Sequence, residues 1–134
     1  MDDQDKRIIE ILGEDCEKND NNFLKYYKHL KDNISIPCVL TGIEDFPWEE
    51  KYVIGDCDKK EYDELKKENP SYTDKFELIE FLEPTSGEDD LFINGKRLSD
   101  NKVFELELSW LKCSDSKSNN YQLLDDFSVW QVNY

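Results

Sequence analysis

The chain is poor in the residues that usually carry chemistry: one histidine, one methionine, five glycines, four prolines and four cysteines among 134 residues. The lone histidine, His29, has no nucleophile beside it, and in Tyr26-Tyr27-Lys28-His29 it reads as a partly exposed helix residue. A general base must be placed by geometry against a reacting group. No GxSxG elbow, phosphate-binding loop or dinucleotide fingerprint accompanies it, so catalysis is not expected. The cysteines, Cys16, Cys38, Cys57 and Cys113, lie far apart with no CxxC pair. Zinc sites normally need closely paired ligands, which disfavours zinc. Cys38 sits in an apolar stretch and reads as core, whereas Cys57 is free to be exposed. No apolar run approaches the roughly 18 residues a membrane helix needs. The start, Met-Asp-Asp-Gln-Asp, is acidic, the opposite of a signal peptide's basic region. The expected location is the cytoplasm, where a disulfide framework would not persist.

Basic residues are also outnumbered: 17 Lys and Arg stand against 32 Asp and Glu, a net charge of −15. Affinity for a polyanion comes mainly from Lys and Arg neutralising phosphates, so nucleic acid is disfavoured, and anionic lipid for the same reason. The field should attract divalent cations or a basic protein surface. In the plainer interpretation, the acidity only keeps the chain soluble.

Three Trp, seven Tyr and seven Phe, with short Ile/Leu/Val runs, supply one modest core despite 37% charged residues. One domain spanning residues 1–134 is expected, with residues 1–20 open to being a loosely packed N-terminal extension. Ile8, Ile11 and Leu12 share a helical face that Gly13 ends. Phe23, Leu24, Tyr27 and Leu30 give residues 21–32 the pattern of an amphipathic helix, and Pro37 bars its continuation. The period then becomes two, giving a strand near 36–43. Glu44-Asp45-Phe46-Pro47-Trp48-Glu49-Glu50 is a loop, and Lys51 to Ile54 is β-prone up to Gly55. Lys59 to Lys67 favours a short polar helix with Tyr62 and Leu65 as its buried contacts. Residues 75–82 read as a long strand, and Pro84 to Asp90 has turn composition.

Asn94-Gly95 is a hairpin signal, but a turn at Ser99-Asp100-Asn101 is preferred because it leaves one strand over 90–98. Residues 102–111 alternate most cleanly, with Phe104, Leu106, Leu108 and Trp110 on one side. Leu123, Leu124, Phe127 and Trp130 predict a short C-terminal helical turn with an extended end. The fold class is α+β: an N-terminal amphipathic helix, about five short strands in a small bent sheet or partly open barrel, and that final turn.

Calcium suits this composition, since it takes six to eight oxygen ligands from carboxylates and carbonyls in flexible geometry. Four acidic clusters are candidate ligand sets. Glu44, Asp45, Glu49 and Glu50 surround Phe46-Pro47-Trp48. Asp56 and Asp58 follow Gly55, with Glu61 beyond. Glu88, Asp89 and Asp90 close the Pro-Thr-Ser-Gly turn, and Asp125 and Asp126 lie near the C-terminus. None is an EF-hand: counted from Asp56, the loop's glycine position is Glu61, and counted from Asp15 it is Asp20.

Glu105-Leu106-Glu107-Leu108-Ser109-Trp110-Leu111, followed by Ser118-Asn119-Asn120-Tyr121-Gln122-Leu123-Leu124-Asp125-Asp126-Phe127-Ser128-Val129-Trp130, resembles the ending of bacterial proteins of the CcbP-type calcium-binding family. Upstream, a helix running into Leu30 to Pro37 is also similar. The block from Gly42 to Glu77 departs and looks like an insertion, and Ser109-Trp110-Leu111-Lys112 lacks the acidic residue expected near the strand's end. The resemblance implies non-EF-hand calcium binding through surface carboxylates on a compact α+β domain. Of the matched residues, only Asp125 and Asp126 carry over as carboxylates. A calcium-binding protein of weak affinity is the leading expectation. The alternative is an acidic interaction module, such as an immunity protein against a basic toxin, with Trp48 as a hot spot.

Overall fold

Capping side chains set where the helices begin. The computed structural model describes residues 2–55 and 58–134. Asp2 accepts from the Asp5 N–H (2.8 Å) to open α1, Asp3–Leu12, which stops at Gly13 with φ +91°. Residues 1–12, considered above as part of a loose extension, thus include a helix that buries Ile8 and Leu12. Asn19 caps α2, Asp20–Asn33, whose Phe23, Tyr26, Tyr27 and Leu30 face inward at helical spacing. Ser118 caps the last helix, Asn119–Asn133. The helices stack their aromatic rings: Phe23 lies 4.9 Å from Trp130, and Tyr26 lies 5.2 Å from both Phe127 and Trp130. The Trp130 indole N–H donates to the Cys16 carbonyl at 2.8 Å.

Five antiparallel strands form one sheet: β1 Val39–Gly42, β2 Lys75–Leu82, β3 Phe92–Arg97, β4 Val103–Glu107 and β5 Leu111–Cys113, in the order β4-β3-β2-β1-β5. The chain is α+β and the sheet is not closed. Its edge strands β4 and β5 are joined by only a 3-10 turn, Leu108–Trp110. Five flat strands would put the edges about 19 Å apart, whereas four residue steps span at most about 14 Å. The sheet therefore curls, as expected for a bent sheet. The turn bridges the two edges directly: the Leu108 N–H donates to Leu91, and the Trp110 carbonyl accepts from Ile43.

β2 coincides with its predicted span, but its sequence cannot alternate throughout. Phe76 and Leu78 are buried, and strict alternation would send Glu80 inward next. A register shift between Leu78 and Glu80 instead keeps Glu80 exposed and packs Phe81 against the core. Asn94-Gly95 lies inside β3, and the hairpin turns at Ser99–Asn101, as preferred. Gly42 is required by packing: its N–H bonds the Tyr72 carbonyl at 3.0 Å, and a Cβ there would lie 2.5 Å from the Tyr72 Cβ.

Four elements differ from expectation. The predicted strand at 102–111 is split, because the chain leaves its pairing with β3 and turns to pair with β1. The side-chain alternation that predicted one strand runs on through the break. The β-prone stretch at 51–54 belongs to a short helix, α3, Glu50–Ile54, with Val53 and Ile54 exposed. The β1 strand begins only at Val39 rather than near 36. The C-terminal turn is a 15-residue helix, α5. It packs on β5 and the 3-10 turn, and this burial extends it beyond what its weak amphipathic pattern signals. The polar helix came as predicted: α4, Lys59–Glu68, with Tyr62 and Leu65 half-buried. No helix among the described residues is long and apolar enough to cross a membrane.

Candidate functional site

Several of the candidate carboxylates are held by the fold. Glu49 is fully buried and accepts four hydrogen bonds: from the Phe46 N–H (3.1 Å), the Tyr72 N–H (2.8 Å), the Tyr62 hydroxyl (2.6 Å) and the Ser71 hydroxyl (2.8 Å). Burial and the bond to Glu49 push the Tyr62 phenol up to about 12. Glu49 thus ties α4 and the 70–74 loop to the start of α3, and its lone pairs are spent on protein donors. Trp48 is half-buried rather than an exposed anchor, its indole N–H bonded to the Pro70 carbonyl at 2.6 Å. Glu44 and Glu50 remain exposed, and Asp45 is half-buried.

Asp126 is likewise committed. It is 2% exposed and takes a two-pronged bond from Arg7, Nε at 2.7 Å and the terminal nitrogen at 2.9 Å, with the Gln4 amide at 2.9 Å. That contact raises the Arg7 guanidinium further and pins α1 to α5. Asp125 is exposed, with the Gln4 amide at 3.1 Å. Asp58 caps α4 through the Lys60 and Glu61 N–H groups, and Glu61 is exposed in the first turn. Asp56 lies outside the described residues, as does Cys57.

The cluster at 88–90 is different. Asp89 is exposed, and Asp90 is 1% exposed. Asp90 accepts from the Leu91 N–H at 2.8 Å and from the Ser109 N–H and hydroxyl. Burial raises Asp90 from its ordinary value despite these bonds. Glu107 joins it: the β3–β4 register sets Glu107 opposite Phe92, beside the 89–91 segment. Burial, then the charge of Asp90 and that of Asp89, push Glu107 up to about 7. Next to this pair, a cleft of about 260 Å³ is lined by Leu82, Glu83, Thr85, Glu88, Phe92 and Glu105. None of the ion pairs among the described residues uses Glu83, Glu88, Asp89, Asp90, Glu105 or Glu107. Six carboxylates thus share one end of the sheet, and among the described residues none of them is in an ion pair.

Sequence reasoning singled out Glu88, Asp89 and Asp90 but missed Glu83, Glu105 and Glu107. Alternation placed Glu105 and Glu107 on the polar face of a strand. Only the register, which the sequence does not print, brings them to the 83–90 loop. For a hard cation the donor chemistry fits, because every group is oxygen. The geometry is not that of a ready cage: among the described residues no three or more His, Cys, Asp or Glu are gathered so as to hold a metal ion.

No protein-family model matches the chain, and no curated protein matches it. Among solved structures, the crystal structure of Anabaena CcbP superposes with a TM-score of 0.60 at 14% sequence identity, covering 95% of this chain and 87% of that one. The chain has a CcbP-like fold.

Proposed function

We propose that this chain binds calcium with weak affinity through carboxylates, without an EF-hand, and that exposed Asp89 and half-buried Glu107, set beside buried Asp90, form the centre of the site. The observation that carries this reading is that the β3–β4 register sets Glu107 beside Asp89 and Asp90 with no ion pair to any of them among the described residues; burial and those acidic neighbours push Glu107 up to about 7. A divalent cation placed among them relieves that repulsion and displaces the proton. The CcbP-like fold adds support, since the sequence resemblance to that calcium-binding family implies the same chemistry. With no preformed cage, the ligands must converge on the ion, and an affinity between about micromolar and millimolar follows. Glu88 and backbone carbonyls of the 83–90 loop are the nearest further oxygens in sequence. The reading is one of binding rather than catalysis.

Calorimetry on metal-free protein tests it. Calcium should bind in that range and release protons at pH 7, with Glu107→Gln removing the proton release and weakening binding. No heat at millimolar calcium, or an equal response to magnesium, would refute selective calcium binding.

A further inference from the structure

The sheet ends at β4, and nothing in the described chain pairs with its outer side. Two backbone bonds fix which groups point outward. Arg97 donates to the Lys102 carbonyl, and Leu108 donates to the Leu91 carbonyl. In an antiparallel pair the bonded positions alternate. Lys102, Phe104, Leu106 and Leu108 therefore face β3, and the N–H and C=O groups of Val103, Glu105 and Glu107 face away from it. Val103 is 57% exposed, and Glu105 is exposed. An unpaired edge of this kind is a template for another strand.

Charge decides the occupant. On the polar face of the edge stand Glu105 and Glu107, with the cleft carrying Glu83 and Glu88 beside them. A second copy added antiparallel about Glu105 would set Glu105 against Glu105 and bring each Glu107 beside the other's Val103, with acid stacked on acid. An extended segment with Lys or Arg at alternate positions meets the opposite condition. The cleft's floor, Leu82 and Phe92, is apolar while its rim is acidic. That combination suits the apolar stem and charged head of a lysine or arginine.

We propose that the outer edge of β4 docks an extended, Lys/Arg-bearing segment of a partner protein by strand addition, with one long basic side chain reaching over Glu105 into the cleft. The added strand gains about five backbone hydrogen bonds, from the three outward N–H groups and the carbonyls of Val103 and Glu105, because the Glu107 carbonyl opens the 3-10 turn.

The test uses the full chain in a chelating buffer and a synthetic peptide of roughly nine residues, with lysine and valine alternating. A control peptide of the same sequence is N-methylated at two adjacent central amides, so that whichever edge faces β4 loses a donor while the charge is unchanged. With the first peptide, hydrogen exchange at the Val103, Glu105 and Glu107 amides should slow at least about tenfold, and the methylated peptide should bind about tenfold more weakly. Glu105→Lys should weaken binding by at least about tenfold. Glu105→Pro, which removes an outward N–H that β3 does not use, should do the same with the melting temperature unchanged. Equal binding of both peptides, protection at other amides, or no binding at about millimolar peptide would overturn the proposal. So would protection at these amides that appears without peptide as protein concentration rises, which would make the occupant a second copy.

Discussion

Neutralising Glu107 by Glu107→Gln should stabilise the metal-free protein above neutral pH. Glu107 rises from an ordinary 4.5 to about 7 in the folded chain. Because the folded state holds the proton more tightly than the unfolded state, stability falls as pH rises from about 4.5 to about 7 and levels off above that. At about 1.4 kcal/mol per tenfold change, the cost of the charged form is at most about 3.5 kcal/mol. Glu107 is only half-buried, and solvent screening reduces this to about 1–2 kcal/mol. Asp90, also raised by burial, acts in the same direction. Lowering the pH also relieves the repulsion of a chain at −15, so wild type alone does not isolate the effect. The variant does. Urea unfolding at pH 8 in a chelating buffer should show Glu107→Gln more stable than wild type by about 1–2 kcal/mol. Near pH 4.5 the difference should vanish, and millimolar calcium at pH 8 should cancel or reverse it. A variant less stable than wild type at pH 8, or a difference that ignores pH, would refute the reasoning.

Two further outcomes follow from the committed carboxylates. Glu49→Ala leaves the Tyr62 and Ser71 hydroxyls and the Phe46 and Tyr72 N–H groups without their acceptor. It should cost about 3 kcal/mol or more in chemical unfolding without changing the calcium response. Asp126→Ala removes the bidentate partner of Arg7, and should cost about 1–3 kcal/mol. The loss should appear in hydrogen exchange as opening of α1 before the sheet.

Pattern within one element was legible in the sequence, and pairing between elements was not. Periodicity placed α2, which buries one face with its own residues; the local apolar run placed β2, and composition placed the polar α4, none of whose residues is fully buried. Periodicity ran straight through Leu108–Trp110 because side chains can keep alternating while the backbone exchanges one partner strand for another. It undersold α5, whose length comes from packing on β5. Val53 and Ile54 favoured a strand by shape, yet they are exposed on α3, where neither packs against neighbouring strands. The same division holds for the site. Asp89 and Asp90 stood out as an acidic turn, but Glu107 reaches them through register alone. Asp126 and Glu49 looked like their exposed neighbours until Arg7, Tyr62, Ser71 and two backbone N–H groups were seen to hold them.

Carbon-13 NMR of the Glu107 side-chain carboxyl, followed through pH with and without calcium, tests calcium binding at Asp89, Asp90 and Glu107 most directly. The predicted midpoint is near 7 in metal-free protein, and it should move well below that when calcium is added at millimolar concentration. A midpoint in the ordinary glutamate range without metal, or one that calcium leaves in place, would contradict it.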